Sequence, residues 1–82
     1  MEQTIIINIT GKVQGVYFRQ STSEQAIQLG LTGTVRNLPG GSVEVIATGD
    51  SPHLQKLVDW CRIGPRRAQV EEVTTQIIPV QT

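Results

Sequence analysis

Aromatic residues are scarce in this chain: one Phe, one Tyr and one Trp among 82 residues, or 4%. The core of so small a domain must therefore be built from Ile, Val, Leu and Ala. The same scarcity weighs against single-stranded RNA as a partner, because sheets that bind RNA present aromatic side chains on their strands. A basic surplus is absent too. Seven Lys and Arg balance seven Asp and Glu, giving a net charge of zero, whereas nucleic-acid binding rests on cationic excess. A single cysteine, Cys61, excludes an internal disulfide and reads as a small buried hydrophobe. One His and one Cys supply no metal-ligand cluster, so no metal and no cofactor are expected. No apolar run approaches the roughly 20 residues of a membrane helix, and "MEQTIIIN" lacks the basic start of a secretion signal. The expectation is one cytoplasmic domain over residues 1–82, monomeric, with no repeat, linker or membrane partner.

What is present is β-branched and periodic. "TIIINIT", Thr4 to Thr10, puts Ile5, Ile7 and Ile9 on one face and Ile6, Asn8 and Thr10 on the other, as a central strand would. In "FRQSTSEQAIQLG", Phe18, Thr22, Ala26 and Leu29 recur at helical spacing and Gly30 suits the C-terminal cap. Ser21 to Glu24 matches a capping box, but the stripe places the helix start a few residues earlier, with Phe18 and Arg19 in or next to the first turn. "TGTVRN" and "SVEVIAT" read as a hairpin closed by "LPGG", with Pro39-Gly40 at the centre of a type II turn. In "DSPHLQKLVDWCRIG", Ser51 is the expected N-cap and Pro52 the first helical residue; Leu54, Leu57, Val58 and Cys61 form the buried stripe. Ala68 to Ile78 is the last strand. Val70 and Val73, three apart, suggest a bulge. The order βαββαβ predicts an α+β, ferredoxin-like two-layer sandwich: an antiparallel sheet with two helices on one face.

Between the first strand and the first helix lies "GKVQGVYFR", Gly11 to Arg19, with no acid, histidine or cysteine. A glycine-bearing loop feeding a helix N-terminus gathers unpaired N–H groups and the positive end of the helix dipole, which together suit an anion. Arg19 at its exit can add a bidentate grip on a phosphate or carboxylate. Neither G-x-x-x-x-G-K-[ST] nor G-x-G-x-x-G is present. On these grounds alone an anion-binding loop and an ordinary βα turn are about equally good readings, and Asn37 reads as a turn residue.

"GKVQGVYFR" resembles the signature of the acylphosphatases, G-x-V-Q-G-V-x-[FY]-R, at every specified position. "GTVRNLPGGSVEVIATG", Gly33 to Gly49, is similar to the second signature of that family, with Thr34 standing where an aromatic is usual. "GPRRAQV" is similar to a Gly-Pro, Ala, Val pattern near the family's C-terminus, whereas "IIPVQT" lacks the aromatic-rich final strand of many members. The resemblance implies hydrolysis of small acyl phosphates to carboxylate and inorganic phosphate. It implies Arg19 and Asn37 as the catalytic residues. Backbone N–H groups of Gln14, Gly15, Val16, Tyr17, Phe18 and Arg19 would grip the phosphoryl oxygens, and Asn37 would position the attacking water. Phosphate or sulfate would then inhibit. Gln14 is expected to contribute its backbone rather than its side chain. The reading from another class is a non-catalytic anion-binding or regulatory module on the same fold. Tyr17 is expected at the rim and Phe18 in the core, with Trp60 half exposed and Arg36 facing away from Asn37.

Overall fold

The computed structural model describes residues 2–80. Met1, Gln81 and Thr82 lie outside the described residues, so the expectations for a domain spanning 1–82 and for the "IIPVQT" tail apply there only as far as Val80. The chain runs β1 (Glu2–Lys12), α1 (Phe18–Gln28), β2 (Thr32–Asn37), β3 (Val43–Asp50), α2 (Ser51–Ile63) and β4 (Gln69–Ile78). One antiparallel sheet holds the strands in the order β2-β3-β1-β4. This is the ferredoxin-like order, with β1 central as its two-faced apolar pattern predicts.

Alternation decides which face of the sheet is covered. Ile5, Ile7 and Ile9 of β1 pair with Ala47, Val45 and Val43 of β3, and all six are buried in one cluster with Phe18, Leu54, Leu57, Val58 and Cys61 from the helices. Each large aliphatic side chain so buried contributes about 1.5–3 kcal/mol. On the opposite face Thr4 and Thr48, register partners, share a hydroxyl–hydroxyl hydrogen bond of 2.6 Å. Arg36 and Glu44 form a cross-strand ion pair there at 2.8 Å, worth less than about 1 kcal/mol at such exposure.

The expected bulge is present. Thr10 pairs with Glu72 but Gly11 with Val70, so Glu71 is the extra residue on β4. The bulge turns Val70 and Val73 to the same side, where both pack against the core. It also corrects the place of Gly11, which the sequence reading put at the start of the anion loop. Gly11 is a β1 residue at φ 122, and a Cβ on it would lie 2.2 Å from the Gln69 carbonyl oxygen. It is glycine because β4 passes so close. That pairing, Thr4–Ile78 through Lys12–Gln69, secures β4 without tail aromatics.

The helix ends follow local chemistry with one shift. α1 starts at Phe18, leaving the Ser21–Glu24 box inside the helix. It ends in a Schellman motif: Leu31 N–H donates to Ala26 O at 2.8 Å and Gly30 N–H to Ile27 O at 3.0 Å. The N-cap of α2 is Asp50 rather than Ser51, so Pro52 is the second helical residue. β3 stays paired through Asp50 with Glu2, and the chain enters the helix with no residue to spare. No helix among the described residues is long and apolar enough to cross a membrane.

Cys61 is fully buried, and burial pushes its thiol from 9.0 up to about 12. The unfolded thiol therefore ionises first, so its contribution to stability is intact below pH 9 and is lost as the pH rises toward 12. Native protein at pH 8 is expected to resist a thiol reagent until it unfolds, whereas denatured protein reacts at once. Immediate labelling of the native state would show that Cys61 is accessible.

Candidate active site

The loop from β1 to α1 is shaped by what it buries. Val13, Val16 and Phe18 point into the core, each at most 5% exposed, which leaves the intervening backbone at the surface. Gly15 at φ 74 and Tyr17 at φ 62, ψ 21 both adopt the left-handed region. At Gly15 the reason is conformation rather than space, since a Cβ there would meet nothing within 4 Å. Tyr17 carries a strain of about 1–2 kcal/mol for an L-residue. It is held because its neighbours Val16 and Phe18 are buried while its own ring stays 72% exposed. The first bond of the helix runs from Ser21 N–H to Tyr17 O at 3.0 Å. Among the described residues, none of the N–H groups from Gly15 to Gln20 donates to a backbone oxygen. Free main-chain donors at a helix start, beside the left-handed residues Gly15 and Tyr17, are an arrangement that can hold an anion.

The hairpin brings in the second half. In β2, Asn37 pairs with buried Val43 and shares parity with Val35, while Arg36 pairs with Glu44 on the opposite face, as expected. β1 and β2 run parallel on either side of β3, so β2 ends at the edge of the sheet where α1 begins. The turn after Asn37 is closed by Gly41 N–H donating to Leu38 O at 3.3 Å, with Gly40 at φ 94, consistent with the expected type II turn.

A hollow of about 370 Å³ opens between these segments, lined by Val13, Gly15, Tyr17, Phe18, Arg19, Gln20 and Asn37. Arg19 and Asn37, 18 positions apart in sequence, thus border one space. Arg19 is exposed and makes no ion pair among the described residues. Gln14 and Val16 do not line the hollow with their side chains. Val16 is in the core, and the Gln14 carboxamide reaches across to the hairpin, where Nε2 donates to Leu38 O and Ser42 O, both at 2.9 Å. Sequence reasoning missed those partners, which lie 24 and 28 residues away, and it missed Val13 and Gln20 as lining residues. The Phe18 ring is buried against Trp60, with centroids 5.7 Å apart, and fixes the start of α1 from beneath. A second hollow of about 360 Å³ lies between α1 and the β2 edge, where Thr34 sits. It has no charged lining residue. Among the described residues no group of three or more His, Cys, Asp or Glu is placed to hold a metal.

Residues 5–82 match the family model described as Acylphosphatase. The chain belongs to the acylphosphatase family. An acylphosphatase of Marinobacter nauticus is 55% identical over 71 residues, covering 87% of this chain and 77% of that protein. One of Colwellia psychrerythraea is 43% identical over 81 residues, 99% and 91% of the two chains. The solved acylphosphatase of Coxiella burnetii superposes with a TM-score of 0.95 at 41% identity, covering 99% of this chain and 85% of that one. As an acylphosphatase, the protein is a hydrolase of acyl phosphates, and its substrates are small molecules carrying a carboxyl–phosphate anhydride.

Proposed function

We propose that this acylphosphatase works by direct attack of water on phosphorus, in a cradle made of backbone N–H groups and one guanidinium. Gln14, Gly15, Val16, Tyr17, Phe18 and Arg19 supply main-chain donors to the phosphoryl oxygens. Arg19 adds a charge-assisted fork, and Asn37 orients the water. The observation that carries the proposal is that Arg19 and Asn37 border one hollow with the curled backbone between Gly15 and Phe18.

The chemistry needs little more. The water oxygen bonds to phosphorus, the bond from phosphorus to the acyl oxygen breaks, and its electron pair leaves on the carboxylate. Water's spare proton passes to solvent. A carboxylate with a pKa near 4 departs without a general acid. The transition state is loose, with charge spread over the equatorial oxygens, so positioning and electrostatic stabilisation suffice. A first-turn arginine opposes the helix dipole when the site is empty, and a bound dianion turns that repulsion into attraction. The proposal extends to competitive inhibition by phosphate or sulfate, and to one domain over residues 1–82. It also extends to a monomer in the cytoplasm, where a lone cysteine remains reduced.

Hydrolysis of benzoyl phosphate in ¹⁸O-labelled water with EDTA present tests the mechanism. Undiminished turnover with the label in phosphate is expected. Label in benzoate would mean attack at the acyl carbon, and loss of activity in EDTA would mean a required metal.

A further inference from the structure

The free main-chain donors and Asn37 belong to different chain segments. The donors lie on the β1–α1 loop, Asn37 on the end of β2. For an attacking water to meet phosphorus in line, the two must keep a fixed spacing, because a 1 Å misplacement can cost about 100-fold in rate. Among the described residues the only hydrogen bonds joining residues 13–17 to residues 38–42 come from Gln14. Both of its amide hydrogens are used, one on Leu38 O and one on Ser42 O, each at 2.9 Å. Leu38 directly follows Asn37. The same two carbonyls close the hairpin loop, since Leu38 N–H donates to Ser42 O at 2.9 Å and Gly41 N–H to Leu38 O at 3.3 Å. The carboxamide thus serves as an extra rung inside the turn that carries Asn37.

We propose that the Gln14 side chain is a positioning residue that sets the distance between the phosphate cradle and Asn37, so that it acts on the rate through Asn37 rather than on anion binding. The inference rests on the acyl phosphate mechanism above. A neutral amide is the group that fits: it presents two donors to two carbonyl oxygens, where a carboxylate would present none. The Gln14 side chain is committed to the two hairpin carbonyls. The residue's contribution to phosphate binding is its main-chain N–H, which a side-chain substitution leaves in place.

The test is a double-mutant cycle with Gln14→Met, which keeps length and adds no charge, in the wild-type and Asn37→Ala backgrounds. Both carbonyls retain their backbone donors, so the hairpin can still close. Gln14→Glu is the second variant should the first fold poorly, and thermal melts report which variants are folded. Benzoyl phosphate kcat and KM and the inhibition constant of inorganic phosphate are read for each. The expected result is a fall in kcat of about tenfold or more for Gln14→Met in the wild-type background. The phosphate inhibition constant should move by less than about threefold, and in the Asn37→Ala background kcat should also change by less than about threefold. Equal losses in both backgrounds, or a phosphate inhibition constant that rises as far as kcat falls, would overturn the inference. A wild-type protein inactive on benzoyl phosphate would instead overturn the parent mechanism, and this inference with it.

Discussion

Replacing Arg19 with Ala is expected to lower benzoyl phosphate turnover by about 10³-fold or more, the scale on which arginines that neutralise a transferring phosphoryl group act. The phosphate inhibition constant should rise about 10- to 100-fold, since a charge-assisted hydrogen bond is worth about 1.5–3 kcal/mol and each 1.4 kcal/mol is tenfold. Stability should move the other way. Arg19 is exposed in the first turn of α1 and has no ion-pair partner among the described residues. Removing a cation from that position relieves repulsion with the dipole, worth about 0.3–1 kcal/mol. An inactive variant that melts at the wild-type temperature or above is therefore the signature of a functional arginine. Arg19→Lys keeps the charge but loses the planar fork, and should recover binding better than rate. Wild-type turnover in Arg19→Ala would remove the guanidinium from the mechanism.

For Asn37→Ala the expected pattern is asymmetric: kcat lower by about 10²–10³-fold, as when one preorganised polar group is removed from a site, with the phosphate inhibition constant within about threefold of wild type. Asn37 is the last residue of β2 and exposed, so stability should shift by no more than about 0.5 kcal/mol. The split separates a group that holds water from one that holds phosphate. A loss of phosphate affinity matching the loss of rate would make Asn37 a second anion ligand instead.

Much of this molecule could be read from the order of its residues. In β1 the Ile5, Ile7, Ile9 alternation marked one shared face of a strand, and the apolar start of both faces, Ile6 included, marked it as central. Pro39-Gly40 specified its turn, and the spacing from Phe18 to Leu29 placed α1 more accurately than the capping box within it. The details that escaped depend on contacts distant in sequence. Gly11 looks like a loop glycine beside Lys12, and only the approach of Gln69 explains it. The left-handed backbone of Tyr17 has no local signal and follows from the burial of Val16 and Phe18 on either side. At the site, Arg19 carried a local hint, a cation where the helix dipole disfavours one. Asn37 carried none beyond its likeness to a signature, since Asn before Pro-Gly is ordinary turn chemistry. The partners of the Gln14 carboxamide were invisible, because a main-chain carbonyl leaves no mark in a sequence.

A crystal structure of the protein soaked in phosphate bears most directly on the cradle. A tetrahedral anion is expected in the hollow between Gly15 and Asn37, bonded by main-chain N–H groups of the β1–α1 loop and by a forked contact from the Arg19 guanidinium. An unoccupied hollow at saturating phosphate, with Arg19 extended into solvent, would contradict it.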